Sequence, residues 1–404
     1  MSVVIGIIIG ILMLMFLVTA HEFGHFIAAR RNGVEVEEFG ICFPPRAIAW
    51  RKVGGKWRRL KKSEWKNPPG KGTIVSLNWL PIGGFCQMKG ESDADTEEGS
   101  FGAARYWSKT KILFAGVAAN WIVAFVVLTI LAWIGMPHFL DGQFNMPNDT
   151  RVIATTPVTI GDILDDSPAS KAGLRSGDIV RVARAVDSGS EVVDIVSTED
   201  LLDFNSRHAG GVIYYNYIRD NYEMMTEVQL NGSDKEYLLG ASISGSALYR
   251  SSWSAPIVGF MTTAQITGET FKGVGMLLYN LVSGVVQQVN PNQEVRESGA
   301  AAIKSAGDSV SGPVGIIGVL FPAFAASGLN NLAFLVALIS ISLACMNVLP
   351  IPALDGGRWL MITIYRLRKK KLTKEKEEKI VGRAFMAILI IAAIVTIIDI
   401  VRLF

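Results

Sequence analysis

Four apolar runs decide what this chain is able to become. Residues 3–20, 112–135, 329–354 and 384–401 hold one charged side chain between them, Asp399. At about 1.5 Å of rise per helical residue, each is long enough to cross the hydrocarbon core of a bilayer. Half of the 404 residues are hydrophobic while 19% are charged, and the mean hydropathy is +0.34. That balance is too apolar for a soluble protein and too charged for a bare helical bundle. The expected fold is therefore a polytopic α-helical membrane protein with four transmembrane helices, at 1–29, 112–135, 329–357 and 384–402, and a sizeable soluble part.

The first run ends in chemistry. His21-Glu22-Phe23-Gly24-His25 continues the helical pattern to about Ala29, so three ionisable groups lie near or inside the membrane. Ionisable groups at that depth are expensive and mark function. Positions i and i+4 share a helix face, so His21 and His25 can turn two imidazoles toward one metal, with Glu22 beside them as a general base. The competing account is a pair of hydrogen-bonded structural histidines, which the membrane setting disfavours.

Charge sets the expected topology. Residues 30–111 carry 16 Lys or Arg against 9 acids, and 366–383 carry 9 against 3, whereas 136–328 carry 12 against 21. The positive-inside rule then places both basic loops in the cytoplasm, and the acidic segment and both termini outside. No basic n-region or cleavage site precedes the first run, so it reads as a retained helix. Cys42, Cys86 and Cys345 lack CxxC spacing and indicate no disulfide framework.

Within the first loop, Arg46 to Lys71 interleaves basic residues with Trp50, Trp57 and Trp65, which suits anionic headgroups better than nucleic acid. Residues 73–89 have strand composition at both ends around Pro81, Gly83 and Gly84, and read as a β-hairpin whose edge could align an extended peptide by main-chain pairing. In the second run, Gly116 and Asn120 form G-x-x-x-N. Glycine permits close helix approach, and Asn120 reaches either the site or only a neighbouring helix.

Residues 152–243 read as one small α/β domain. Ser167-Pro168 starts a helix, Gly173 stops it, Gly177-Asp178 turns into a strand at Ile179, Ser197–Asp200 starts a second helix, and 212–218 and 226–230 alternate as strands. The 253–328 segment reads as interfacial helices and loop: short apolar helices over 255–289, a polar loop over 291–309, and a sharp turn at Ser311–Gly315. The third run ends with Pro350 and Pro352, which must break its helix before Asp355-Gly356-Gly357. His21 lies about 27 Å along the first helix from residue 3, and Asp355 reaches similar depth from the opposite end of the chain. Two histidines and a carboxylate leave a fourth position open, as a catalytic zinc requires. Alternatively, Asp355 caps the following loop or pairs with Arg358.

His21-Glu22-x-x-His25 in a first span, Asn347-x-x-Pro350-x-Pro352-x-Leu354-Asp355-Gly356 in a later one, and SPASKAGLRSGD between them resemble the bacterial site-2 proteases, in particular the regulators of sigma-E type, over nearly the whole chain. The resemblance implies one zinc ion held by His21, His25 and Asp355, with Glu22 as catalytic base. It also implies a cytoplasmic-side membrane-associated β-hairpin at 73–89, an extracytoplasmic PDZ domain within 152–243 that filters substrates, and substrate-supporting roles for Asn347, Asn120, Gly83 and Gly84. Its expected partners are single-span membrane proteins, such as anti-sigma factors or remnant signal peptides, and the lipid bilayer of the bacterial inner membrane, with no nucleic acid. Departures are a single PDZ-length segment, Val117 where proline is common, and Arg358 where histidine is common. Two other classes stand beside the protease, a catalytically inactive PDZ scaffold and a metal transporter.

Overall fold

The computed structural model describes residues 3–403 except 71, 141, 156, 186–190, 236, 246 and 309–311. Among the described residues, four helices are long and apolar enough to cross a membrane: α1 (Val3–Arg31), α2 (Tyr106–Ile134), α9 (Leu329–Val348) and α11 (Lys374–Leu403). The count matches the four hydropathy runs. The boundaries differ, because α2 and α11 take in polar residues on the N-terminal side of their apolar runs. The third helix stops at Val348, ahead of the prolines, and Asp355 opens a separate helix, α10 (Asp355–Leu367). The backbone divides into two compact units, one of Met1–Leu128 with Thr263–Phe404 and one of Thr129–Thr262.

In the first unit, residues 36–53 and 56–59 form strands, within a loop whose 46–71 stretch the sequence suggested as a basic patch facing anionic headgroups. Strands β1 (Val36–Val53), β2 (Lys56–Arg59) and β3 (Ile74–Met88) make one sheet in the order β2-β1-β3. The expected hairpin at 73–89 is corrected. Its arms are paired with β1: residues 84–88 and 74–77 both meet 36–41, and 75–78 also meet 46–50. The inserted strand hides its charges. Glu38 is buried, accepts a hydrogen bond from Ser76 Oγ (2.6 Å) and is gripped by the Arg46 guanidinium, whose Nε lies 2.9 Å from Glu38 Oε1. Arg46 is thus an internal partner, and Arg58 pairs with Glu64 at 2.7 Å.

Residues 253–328 also depart from expectation. Ala255–Gln288 is one 34-residue helix, α5, and the polar 291–309 segment contains helix α6 (Gln293–Asp308). Threonines do not break α5, because Thr267 and Thr270 donate back to the carbonyls of Thr263 and Ile266 at 2.7 and 2.8 Å. Glycines set its crossing with α6, since a Cβ on Gly284 would fall 2.9 Å from the Gly299 carbonyl. Ser311 lies outside the described residues. The expected turn after it opens an apolar helical run, α7 (Pro313–Gly315), a π-helical turn (Ile316–Leu320) and α8 (Phe321–Ala326).

That run packs on the N-terminal half of α1, where a Cβ on Gly6 would meet Pro322 Cα at 2.6 Å and one on Gly10 the Phe321 ring at 2.9 Å. Leu17, Phe321, Leu332 and Leu335 form the core between them. Helix α11 has a buried carboxylate at each end. Glu377 accepts from Ser92 Oγ and the Asp93 amide, both at 2.8 Å, and Asp399 accepts from the Gly315 amide at 2.8 Å. Between them Phe385, Leu389, Ile390 and Ile394 are exposed, as side chains facing hydrocarbon would be.

The second unit holds a six-stranded sheet. Its path runs β10 (Tyr222–Gln229), β9 (Val212–Arg219), β7 (Ile179–Ala185), β6 (Val158–Ile163) and β11 (Ala241–Ser244), with β8 (Val192–Asp194) beside β7. A second sheet orders β4 (Met136–Pro137), β12 (Ala247–Arg250) and β5 (Arg151–Thr155). Two helices accompany the larger sheet, and both begin where their caps predict. Ser167 caps α3 (Pro168–Lys171) through the Ser170 amide, and Ser197 with Asp200 forms a capping box for α4 (Thr198–Arg207). Leu201, Phe204, Ile213 and Tyr215 are fully buried in the core.

Asp178, 1% exposed, receives Arg219 Nε at 2.7 Å and Nη2 at 2.6 Å, and caps its own turn through the Arg175 amide at 2.7 Å. Asp178→Ala removes the ion-pair partner of Arg219, which keeps only its bond to the Gly173 carbonyl, and strands the Arg175 amide. It is expected to destabilise this unit by about 3 kcal/mol. Hydrogen exchange across 179–185 and 212–219 in the full chain measures this, and unchanged protection there would refute it.

Candidate metal centre and active site

The site begins with α1, whose buried residues Leu17, His21, His25 and Ala29 recur every fourth position and define its inward stripe. His21 and His25 are 8% and 6% exposed, and their Nε2 atoms lie 3.1 Å apart. The break after Val348 lets the chain turn, and Asp355, first residue of α10, enters this space. Its Oδ2 lies 3.0 Å from His21 Nε2 and 3.3 Å from His25 Nε2. Residues 334 positions apart thus meet in one triangle of donor atoms.

The triangle suits a metal. Bonds of about 2.0–2.1 Å to a tetrahedral zinc separate neighbouring ligand atoms by about 3.3–3.4 Å. His25 Nδ1 donates to the Ile112 carbonyl at 2.8 Å, which fixes the tautomer and leaves Nε2 as a bare lone pair aimed into the triangle. Among the described residues, this is the group of three possible ligands that meets within 4.8 Å. His138 and His208 belong to the other unit, beside Glu199 and Glu191.

Helix α2 supplies the wall. A Cβ on Gly116 would fall 2.6 Å from His21 Cε1, His21 Nε2 and His25 Nε2, closer than real Cβ atoms approach anything. The G-x-x-x-N glycine therefore makes room for the imidazoles themselves. Opposite it, Gly24 lets α1 press on α2, where a Cβ would lie 2.3 Å from the Ala115 carbonyl. Its signal was inside the motif, as the one residue of HEFGH without a side chain.

Glu22 is next to the triangle, within electrostatic reach of His21, His25 and Asp355, and faces the Cys86 backbone of β3. Burial, with the Glu22 and Glu91 charges, pushes the Cys86 thiol up to about 12, so it stays protonated and offers no competing thiolate. The glycine pair of β3 fixes this approach. Gly83 has φ +136°, and a Cβ there would lie 2.9 Å from Val18 Cγ1, while one on Gly84 would lie 3.2 Å from Thr19 Oγ1. Both contacts fall one turn before His21.

The two asparagines behave differently. Asn120 is 1% exposed, one turn beyond Gly116, and neither side-chain polar atom has a hydrogen-bond partner, although its carbonyl accepts from Ser340 Oγ at 2.8 Å. Asn347 turns its amide back onto the Leu343 carbonyl at 3.0 Å and is not drawn into the triangle. Arg358, next to the motif, pairs with Glu377 at 3.4 Å, so the suggested Asp355–Arg358 pair gives way to Asp355 with the histidines.

Two histidines on a helix fit to span a membrane, met by a distant carboxylate and with a glutamate beside them, define the class of membrane metallopeptidases. The chain belongs to peptidase family M50, whose sequence profile matches residues 9–60 and 63–392. It is 29% identical over 400 residues to a chain of Clostridium acetobutylicum provisionally named a zinc metalloprotease, covering 98% of this chain and 97% of that one. It is 26% identical over 406 residues to Metalloprotease MmpA of Caulobacter vibrioides, covering 92% and 90%. It is 25% identical over 478 aligned residues to the Regulator of sigma-W protease RasP of Bacillus subtilis, covering 96% of each. The protein is a bacterial site-2 protease family member and a zinc metallopeptidase, and the scaffold and transporter alternatives fall away.

Proposed function

We propose that this peptidase cleaves single-span membrane proteins within or near their transmembrane segment, with His21, His25 and Asp355 as zinc ligands and Glu22 as the base. The convergence of those three side chains, at 3.0–3.3 Å, carries the reading. Zinc, when bound, supplies a Lewis acid that polarises a peptide carbonyl and eases the ionisation of water. Glu22 takes the proton of the attacking water as the oxygen adds to the carbonyl carbon. It then passes that proton to the amide nitrogen as the C–N bond breaks, leaving a carboxyl and an amine terminus. Ile112 holds the His25 tautomer, and the wall at Gly116 keeps the imidazoles in register.

A helical substrate must expose its scissile carbonyl. Gly83 and Gly84 bring β3 against α1 beside Glu22, which supports a role for that strand in holding an unwound segment extended. Asn120, buried with a free amide, is the proposed polar support for substrate or transition state. Asn347 spends one N–H on the Leu343 carbonyl and keeps its second N–H and Oδ1 for a substrate. The six-stranded unit with its two capped helices is proposed as a PDZ-type module screening substrates outside the membrane. Charge asymmetry supports an inner-membrane topology with termini outside and basic loops in the cytoplasm. Relatedness to a protein named Regulator of sigma-W protease favours an anti-sigma factor over a remnant signal peptide as substrate.

The test uses purified full-length protein with a truncated single-span anti-sigma reporter, with and without a zinc chelator. Cleavage inside the span, abolished by chelation and restored by zinc, is expected. Asp355→Ala is expected to lower bound zinc well below one equivalent. Full zinc retention in that variant would remove the ligand assignment, and cleavage confined to soluble segments would remove the intramembrane one.

A further inference from the structure

The basic turn between α10 and α11 encloses a cavity of about 520 Å³ that the peptidase chemistry does not use. Five cations line it, Lys109, Arg366, Lys370, Lys371 and Lys374, against one carboxylate, Asp93. Asp93 is already committed to Lys109, to which it is directly bonded. The other four cations have no ion-pair partner among the described residues. Four like charges round one cavity repel each other, and that repulsion is relieved by an anion in their midst.

The surrounding chain holds the charges in place. Leu372 is 3% exposed and anchors the turn in the core formed with Ile112, Leu113 and Met361. Lys369 takes a left-handed conformation, φ 52°, and the Lys370 amide returns to the Tyr365 carbonyl at 3.0 Å. Arg366 stacks over the Tyr106 ring at 4.6 Å, and the Tyr106 hydroxyl is bonded to Thr363 at 3.0 Å. Arg366 and Lys370 also suit the negative end of α10, but Lys374 is the first residue of α11, where a helix dipole disfavours a cation. Its placement makes sense once a negative group faces it.

Depth narrows the ligand. Tyr106 lies six residues before Ile112, where the uncharged run of α2 begins, about 9 Å by helical rise. The headgroup layer extends about 5–8 Å beyond the hydrocarbon on each side. The cavity straddles the outer edge of that layer, with Lys109 about 4.5 Å and Tyr106 about 9 Å beyond the apolar run, and exposed Trp107 next to it is the side chain favoured at such an interface. We propose that this cavity is a binding site for a phosphate-bearing anion, the phosphodiester headgroup of an anionic phospholipid or a free phosphate.

The experiment compares full-length protein with the variant Arg366→Gln/Lys370→Gln/Lys371→Gln/Lys374→Gln, both in detergent. Native mass spectrometry reads retention of phosphatidylglycerol against phosphatidylcholine, and thermal melting reads the response to inorganic phosphate. The wild type is expected to prefer phosphatidylglycerol by at least about ten-fold, and the variant to lose that preference. A phosphatidylglycerol preference without a phosphate response identifies the lipid source. A phosphate-induced stabilisation lost in the variant, with no lipid preference, identifies a free anion. Equal lipid retention and equal phosphate response in the two proteins overturn the site. Should the quadruple variant fail to fold, Lys371→Gln/Lys374→Gln set against the charge-preserving Lys371→Arg/Lys374→Arg decides by the same readouts. Loss with glutamine and retention with arginine support the site, and identical behaviour overturns it.

Discussion

Glu22→Gln is expected to leave zinc at one equivalent per chain while slowing cleavage of a single-span reporter by about 10²–10⁴-fold, the usual worth of a positioned base. The substitution keeps size and shape, so β3 still packs against α1 at Val18 and Thr19. What it removes is the charge and basicity of the carboxylate oxygen that takes a proton from water. The proposed ligand triangle is formed by His21, His25 and Asp355, and Glu22 is outside it. Zinc content by elemental analysis and cleavage rate in detergent separate the two roles. A variant that loses zinc along with activity would make Glu22 a ligand or a structural anchor, and one that cleaves at the wild-type rate would end its assignment as the base.

Gly116→Ala is expected to weaken zinc binding by about 10–100-fold, as loss of the shell around a metal site commonly does. The added methyl would meet two atoms of the His21 ring and one of the His25 ring at 2.6 Å. Relief by moving α2 is hindered, because His25 is tied to the Ile112 carbonyl on that same helix, and Gly24 already lies against the Ala115 carbonyl. Relief by rotating the imidazoles spoils the triangle. Competition with a chromogenic chelator measures the affinity, and an unchanged value would show that the crossing tolerates a side chain.

The site was more legible than the scaffold, for physical reasons. A metal pair on one helix face is a local pattern, so His21 and His25 were visible from spacing. Asp355 followed from the prolines at 350 and 352, which must end a helix whatever surrounds them. The sheet was not local. Residues 74–88 look like a hairpin because both arms have strand composition, yet their partner is β1, which pairs Glu38 with Arg46 internally although the sequence put Arg46 in a patch facing headgroups. A buried ion pair and an exposed basic loop are spelled alike. Helix α6 was missed because it is polar and alanine-rich, and α5 was read as several short helices because its threonines, which bond to its own carbonyls, resemble interruptions. Gly116 was noticed as a helix-approach glycine, but only the distances to the two imidazoles reveal what it accommodates.

Residues 21 and 355 meet in a unit built from both ends of the chain, with Thr129–Thr262 inserted between the halves. Synthesis therefore delivers the histidines and the glutamate long before their carboxylate. A nascent chain with α1 in place has an incomplete site until α10 has left the ribosome, and α10 is held through Arg358 to Glu377 in the helix that follows. With the proposed ligand set, the order of translation makes the peptidase competent only near the end of its own production.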